Sequence, residues 1–235
     1  MKAGFCDLGV MEYRAAWELQ ERLFNRVIAQ KKANTGSTES YLLFCEHPHV
    51  YTLGKSGSES NLLLDSIQLQ AKDATFVKTN RGGDITYHGP GQIVGYPILN
   101  LEGLVKGARA YIEKMEEAII ETLAGYGIPT ERLPGATGVW LDTTKPGKTR
   151  KICAIGVRTS HWVSMHGFAL NVNTDLRYFG YINPCGFTDK AVTSLSAELG
   201  RPVDIEEVKN RLMSSLAAIY GLSLQPVTLP ELEKI

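Results

Sequence analysis

Covalent chemistry through sulfur needs a cysteine that is presented to a cleft and can ionise. The chain has four cysteines, Cys6, Cys45, Cys153 and Cys185, with no CxxC spacing and no compact framework, which argues against structural zinc and against a disulfide scaffold. Cys6 and Cys45 sit in apolar runs, where a free thiol behaves as a small inert hydrophobe. Cys153 follows Lys151 by two residues. Strand residues two apart share a face, about 7 Å apart, which would put Cys153 beside a cation, but Ile152, Ala154 and Ile155 surround it and a core cysteine is expected. Cys185 is the other candidate. It lies in Asn183-Pro184-Cys185-Gly186-Phe187, a turn that presents a side chain readily. Either thiol needs a neighbouring positive charge or hydrogen bonds to act as a thiolate nucleophile.

A second stretch reads as the wall of a binding site. Arg81-Gly82-Gly83-Asp84-Ile85-Thr86-Tyr87-His88-Gly89-Pro90-Gly91-Gln92 combines a permanent cation, a histidine that titrates near neutrality, and glycines that admit close backbone approach. Other groupings have plainer explanations. His47 and His49 are two apart, but Pro48 separates them and no further Cys or His cluster supports a metal site. Gly147-Lys148-Thr149 lacks the glycine that a phosphate loop needs five residues earlier, where Asp142 stands. Glu113, Glu116, Glu117 and Glu121 are expected to form a solvated helix face.

Taken together, these stretches resemble a known family. The pattern Arg-Gly-Gly-x-x-Thr-Tyr-His-x-Pro-Gly-Gln-x-x-x-Tyr, ending at Tyr96, is similar to the signature of the lipoyl(octanoyl) transferases. So are Glu46-His47-Pro48 with Val50-Tyr51-Thr52-Leu53-Gly54, Lys151-Ile152-Cys153-Ala154-Ile155-Gly156, His166-Gly167-Phe168-Ala169-Leu170-Asn171 and Asn183-Pro184-Cys185-Gly186, in the family's order. The turn from Thr143 to Thr149 is longer and more basic than the family's usual one.

The resemblance implies a biotin/lipoate protein ligase-like catalytic domain and acyl transfer from octanoyl-acyl carrier protein to a lysine of a lipoyl domain. Acceptors would be the lipoyl domains of 2-oxoacid dehydrogenase complexes and the glycine cleavage H protein. It makes Cys185 the nucleophile and Lys151 its partner. It places acyl-substrate contacts at Arg81, Gly82, Gly83, Asp84, Ile85, Thr86, Tyr87 and His88, at Ala154, Ile155 and Gly156, and at Gly167, Phe168 and Ala169. No metal, nucleotide or other cofactor is implied, because a thioester is already activated. Two alternatives are an ATP-dependent lipoate or biotin ligase on the same fold, and a non-catalytic acyl-binding protein.

The elements that must position these residues follow from periodicity. Helical stripes cover Met11 to about Lys32, Ala108 to Ala124, and Asp204 to Tyr220, where Asp204 suits an N-cap. Strands are expected at 5–10, 41–45, 75–78, 93–101, 138–142, 151–158 and 163–172, the last two paired. Pro97 puts the strand from Ile93 at an edge or a bulge. The expected class is α/β of the α+β type, a mixed β-sheet flanked by helices, in one domain over 1–235.

Lys plus Arg and Asp plus Glu are both 25, so nothing favours a general nucleic-acid or membrane partner. No apolar run is long enough to span a bilayer and no signal pattern opens the chain, so a cytoplasmic location is expected. Lys145, Lys148, Arg150 and Lys151 form a local basic cluster, expected to steer an acidic carrier protein.

Overall fold

The computed structural model describes residues 1–33, 38–183 and 190–235. In chain order the elements are β1 (Lys2–Val10), α1 (Tyr13–Ala33), β2 (Tyr41–Glu46), β3 (Val50–Leu53), α2 (Ser66–Gln70), β4 (Thr75–Lys78), β5 (Ile85–His88), β6 (Gln92–Ile98), α3 (Ala108–Ala124), β7 (Glu131–Leu133) and β8 (Ala136–Leu141). They continue with β9 (Arg150–Ser160), β10 (Val163–Asn171), β11 (Ala191–Val192), α4 (Leu195–Leu199), α5 (Ile205–Tyr220), β12 (Ser223–Pro226) and α6 (Leu229–Glu233). Short 3-10 turns cover Glu59–Asn61 and Leu176–Tyr181.

Among the described residues the large sheet runs β12-β1-β2-β6-β10-β9-β8-β7, with β11 also on β9, and a small sheet runs β4-β3-β5. Parallel and antiparallel pairs mix in both. This is the expected mixed sheet flanked by helices. The stripes of α3 and α5 cover one face of the large sheet, burying Tyr111, Met115, Ile119, Leu212 and Leu216 against Leu42, Phe44, Ile93 and Leu170. The stripe of α1 covers the other, with Ala16, Leu19, Leu23 and Val27 on Leu43, Val94 and Met165. Asp204 caps α5 by accepting the Glu206 N–H at 3.0 Å. No helix among the described residues is long and apolar enough to cross a membrane.

Two expectations need correction. The strand carrying Pro97 is not at an edge: β6 lies between β2 and β10. It tolerates the proline because its ladder to β10 stops at the Gly95–Phe168 pair. Beyond that pair His166 leaves the extended conformation, with φ 58°, and the Ser164 hydroxyl takes over by donating to the Pro97 carbonyl and accepting the Leu99 N–H. Pro97 therefore costs no ladder hydrogen bond to β10. The second correction concerns the acidic run on α3. Glu116 is buried, not solvated, because it accepts the Gly138 N–H at 2.9 Å and pairs with Arg132 at 3.0 Å, tying α3 to β8.

His47 joins three elements. Its Nδ1 lies 2.7 Å from the Met11 carbonyl, which only accepts, so Nδ1 carries the proton. Its Nε2 then accepts the Tyr96 hydroxyl at 2.6 Å. The Met11 carbonyl just ahead of α1, the turn after β2, and central β6 are thus held by one neutral imidazole. Burial pushes the His47 pKa down to about 4 from 6.5, against smaller opposing effects of the Met11 hydrogen bond and Glu12. A histidine held below its unfolded value contributes stability above that value and loses it as the pH falls toward the folded one. Urea unfolding should therefore show stability falling between about pH 6.5 and 4, and His47→Gln should shrink the difference between pH 7 and pH 4.5. An equal difference in the variant would show that His47 is not held neutral.

Candidate functional site

A cavity of about 450 Å³ opens between the large sheet and the small one, within the range of small-molecule sites. The small sheet contributes Thr86 and His88 from β5, and the large sheet contributes Ala154 and Gly156 from β9 with Gly167 and Ala169 from β10. Lys151, Arg81, Gly83, Asp84, Ile85, Ile155 and Phe168 also line it.

Lys151 reaches the cavity because β9 is irregular. Val139 pairs with Cys153, but the next residue, Trp140, pairs with Lys151, so Ile152 is an extra residue in β9. A bulge of one residue reverses the alternation of side chains. Consecutive residues Ile152 and Cys153 both enter the core, and Lys151 shares the cavity face with Ala154 and Gly156. Cys153 and Lys151 therefore do not share a face, and Cys153 is the core cysteine that its apolar neighbours suggest. Cys153 is fully buried and burial drives its thiol well above the ordinary range, so it stays protonated. Cys6 and Cys45 are also buried, with burial raising both thiols.

At Lys151 the backbone is held on both sides. β8 flanks it through Trp140, β11 through Val192, and the Lys151 carbonyl accepts the Thr193 N–H at 2.9 Å. Its ammonium sits 4.5 Å from the centre of the buried Trp140 ring, a cation–π contact. Asn171 braces the same end, accepting from Gln92 at 2.9 Å and donating to the Thr193 carbonyl at 3.0 Å. Cys185 belongs to 184–189, outside the described residues. Asn183 and Lys190, on either side of that segment, both line the cavity.

The deep end is polar. Arg81, 8% exposed, donates to the Thr52 carbonyl at 2.6 Å and its hydroxyl at 3.0 Å. That hydroxyl in turn reaches His88 Nε2 at 3.2 Å, and His88 Nδ1 meets Gln92 Oε1 at 2.8 Å. Since Gln92 Nε2 donates to Asn171 and to the Tyr87 carbonyl, its Oε1 must accept, which places the His88 proton on Nδ1. Burial first, then His47 and Arg81, hold His88 far below its usual pKa, so it is neutral. Asp84 is pinned by Asn61 and by the Ile85 N–H.

Two residues of the Arg81–His88 stretch do not line the cavity. Gly82 docks the loop on β9 instead: its N–H donates to the Val157 carbonyl at 3.0 Å, and a Cβ on Gly156 would stand 2.8 Å from its own carbonyl. Tyr87 points to the opposite face of β5, where it hydrogen-bonds His49 at 2.6 Å and stacks on Tyr178. His47 and His49 have separate partners on separate elements. The basic cluster is partly neutralised: Arg150 pairs with Asp142 and with Glu198, and Lys145 pairs with Asp142. It is therefore not a uniformly positive rim.

Sequence reasoning missed Trp140, Tyr13 and His166 as cavity residues. Trp140 and Tyr13 carried no motif, and the signal for His166 was its place at the head of the motif His166-Gly167-Phe168-Ala169-Leu170-Asn171.

Residues 12–217 match the family model described as the lipoyl protein ligase A/B catalytic domain. An octanoyltransferase of Christiangramia forsetii is 52% identical over 225 residues, covering 93% of this chain and 96% of the relative. One of Bacteroides thetaiotaomicron is 52% identical over 227 residues, covering 97% and 99%. Among solved structures, the bi-partite lipoate protein ligase of an archaeal lipoylation system from Thermoplasma acidophilum superposes with a TM-score of 0.74 at 16% identity, covering 100% of this chain and 89% of that one, which speaks for the fold. The chain belongs to the lipoyl protein ligase A/B catalytic domain family, and within it to the octanoyltransferases.

Proposed function

We propose that octanoyl transfer by this chain runs through an octanoyl-Cys185 thioester, with Lys151 as the activating partner and the cavity as the acyl pocket. The donor is octanoyl-acyl carrier protein. The acceptors are lysines of the lipoyl domains of 2-oxoacid dehydrogenase complexes and of the glycine cleavage H protein. One observation carries the reading. Lys151 lines a cavity whose rim includes Asn183 and Lys190, the residues that flank the Cys185 segment. Cys185 follows Asn183 by two residues, which limits the Cα separation to about 7 Å by chain length alone.

In the first half, the Cys185 thiolate attacks the thioester carbonyl carbon. The carbon–sulfur bond to the carrier breaks, and the carrier leaves as a thiolate that takes up a proton. In the second half, the acceptor amine attacks octanoyl-Cys185. The amide forms, the thiolate returns, and the amine loses a proton. Lys151 as an ammonium favours the thiolate, and as a neutral amine it accepts the proton from the incoming nucleophile. Arg81, Thr86, His88, Ala154, Gly156, Gly167 and Ala169 enclose the octanoyl chain. The whole chain, 1–235, works as one octanoyltransferase domain.

Cys185→Ser should abolish lipoyl-domain octanoylation, lowering kcat by at least about 10³-fold in keeping with loss of a nucleophile, while Cys153→Ser should stay within about tenfold of the parent. A Cys153→Ser enzyme as inactive as Cys185→Ser would move the nucleophile to the buried site.

Lys151→Met should displace the pH profile of iodoacetamide alkylation at Cys185 to higher pH. One unit of displacement corresponds to about 1.4 kcal/mol of lost thiolate stabilisation. Circular dichroism would confirm that the variant is folded, and an unmoved profile would remove Lys151 from the activating role.

A further inference from the structure

β9 parts from its long neighbour just before the lysine. Its ladder to β10 runs from the Ser160–Val163 pair to the Cys153–Leu170 pair, so at Lys151 the strand is flanked by β8 and β11 instead. The β8 side is interrupted there by the bulge at Ile152. β11 is two residues long and grips through two bonds, the Ala191 N–H on the Thr149 carbonyl at 3.0 Å and the Thr193 N–H on the Lys151 carbonyl at 2.9 Å. A pairing this short adds little stability by itself. The placement of Lys151 therefore needs support from outside the sheet.

Glu198 supplies that support. Consecutive strand residues point to opposite faces, so Arg150 projects away from the cavity that Lys151 faces. There Glu198 of α4 receives its guanidinium in a two-pronged pair, Nε to Oε1 and Nη2 to Oε2, both at 2.7 Å. Such a planar fork fixes direction as well as distance. The same Oε1 accepts the Thr193 hydroxyl at 2.6 Å. One carboxylate thus holds the residue before Lys151 on β9 and the residue just past Val192 on β11. Arg150 Nη1 also donates to Asp142, just beyond β8.

The bracket stands on a firm base. Ser194 caps α4 by accepting the Ala197 N–H at 3.2 Å, and the Ser196 N–H donates to the Val172 carbonyl, just past β10, at 2.9 Å. Leu195 is fully buried in the core of the large sheet. Glu198 and Arg150 are 15% and 24% exposed, and the bond from Arg150 holds the Glu198 carboxyl below its usual range, so the pair is ionised at neutral pH. Lys151, Lys190 and Val192 line the cavity, whereas Glu198 and Arg150 stand behind it.

We propose that Glu198 is a positioning residue for the transfer reaction: through Arg150 and Thr193 it locks β9 to β11 at Lys151 and holds the lysine where it acts on Cys185. The inference rests on the Cys185–Lys151 reading of the reaction. No bond to Glu198 is made or broken in the turnover.

Loss of charge and loss of position act in opposite directions. Removing a nearby carboxylate favours a thiolate and moves alkylation to lower pH, whereas loosening an activating lysine moves it to higher pH. Glu198→Gln should therefore displace the iodoacetamide profile of Cys185 to higher pH. It should also lower kcat by about tenfold to a hundredfold, the cost of misplacing a reacting group, with KM for octanoyl-acyl carrier protein unchanged. Thr193→Val keeps the charge of Glu198 and the backbone bonds of β11, and should move both readouts the same way by less. In a Lys151→Met background Glu198→Gln should add no upward displacement, because effects that act through one residue do not add. Circular dichroism would verify folding, and Thr193→Val carries the test should Glu198→Gln unfold. An unmoved or lowered profile in folded Glu198→Gln, an upward displacement that persists in full without Lys151, or a rise in KM in place of the fall in kcat would overturn the proposal. If Lys151→Met left the profile of the parent unmoved, the Cys185–Lys151 reading itself would fall, and the proposal with it.

Discussion

One extra residue in β9 decides where the chemistry can happen. With regular alternation, Lys151 and Cys153 would share a face, and the lysine would point away from Ala154 and Gly156. The bulge at Ile152 breaks that relation. It sends Ile152 and Cys153 into the core under α3 and α5, and leaves Lys151 facing the cavity above Trp140. Strand pairing secures the bulge, since β8 and β11 flank β9 at Lys151 while β10 flanks it beyond. A sheet slipped by one residue would move the whole set of side chains to the other face.

The opposite wall depends on a different constraint. Arg81 is buried, and Thr52 and Gly82 accept from its donors through neutral oxygens. A buried cation disfavours further positive charge nearby, and together with burial it keeps His88 and His166 neutral. The deep end of the cavity therefore offers fixed dipoles of known direction and does not gain or lose charge near neutral pH. The other face of the small sheet serves the same end: Tyr87 faces away from the cavity, and its packing with Tyr51, Tyr178 and Phe179 anchors β5, the strand that presents Thr86 and His88.

Much of this was legible in the residues. The three long helices came from stripes at helical spacing, and the paired strands β9 and β10 from two apolar runs joined by a short turn. Thirteen of the site residues expected from the motifs line one cavity, Lys151 among them. What escaped the sequence was non-local. No periodicity announces a bulge, so regular alternation put Lys151 on the face of Cys153, although the core place of Cys153 itself was legible from its apolar neighbours. The buried Glu116 depends on Arg132 and Gly138, which come later in the chain. Pro97 marked an irregular strand correctly but not its central place, because the compensating hydroxyl of Ser164 lies on another strand. Trp140 and Tyr13 are ordinary core-forming residues in sequence, and only the packing of the two sheets brings them to the cavity.

The central claim is that the octanoyl group rests on Cys185 on its way to the acceptor. The direct test is rapid-quench analysis of a single turnover, with octanoyl-acyl carrier protein mixed with enzyme and lipoyl domain, and with peptide mapping of the enzyme at each time. The account predicts an octanoyl group on the Cys185 peptide alone, formed and lost at least as fast as the octanoylated lipoyl domain appears. Product formed without that adduct, or an adduct that decays more slowly than product appears, would contradict it.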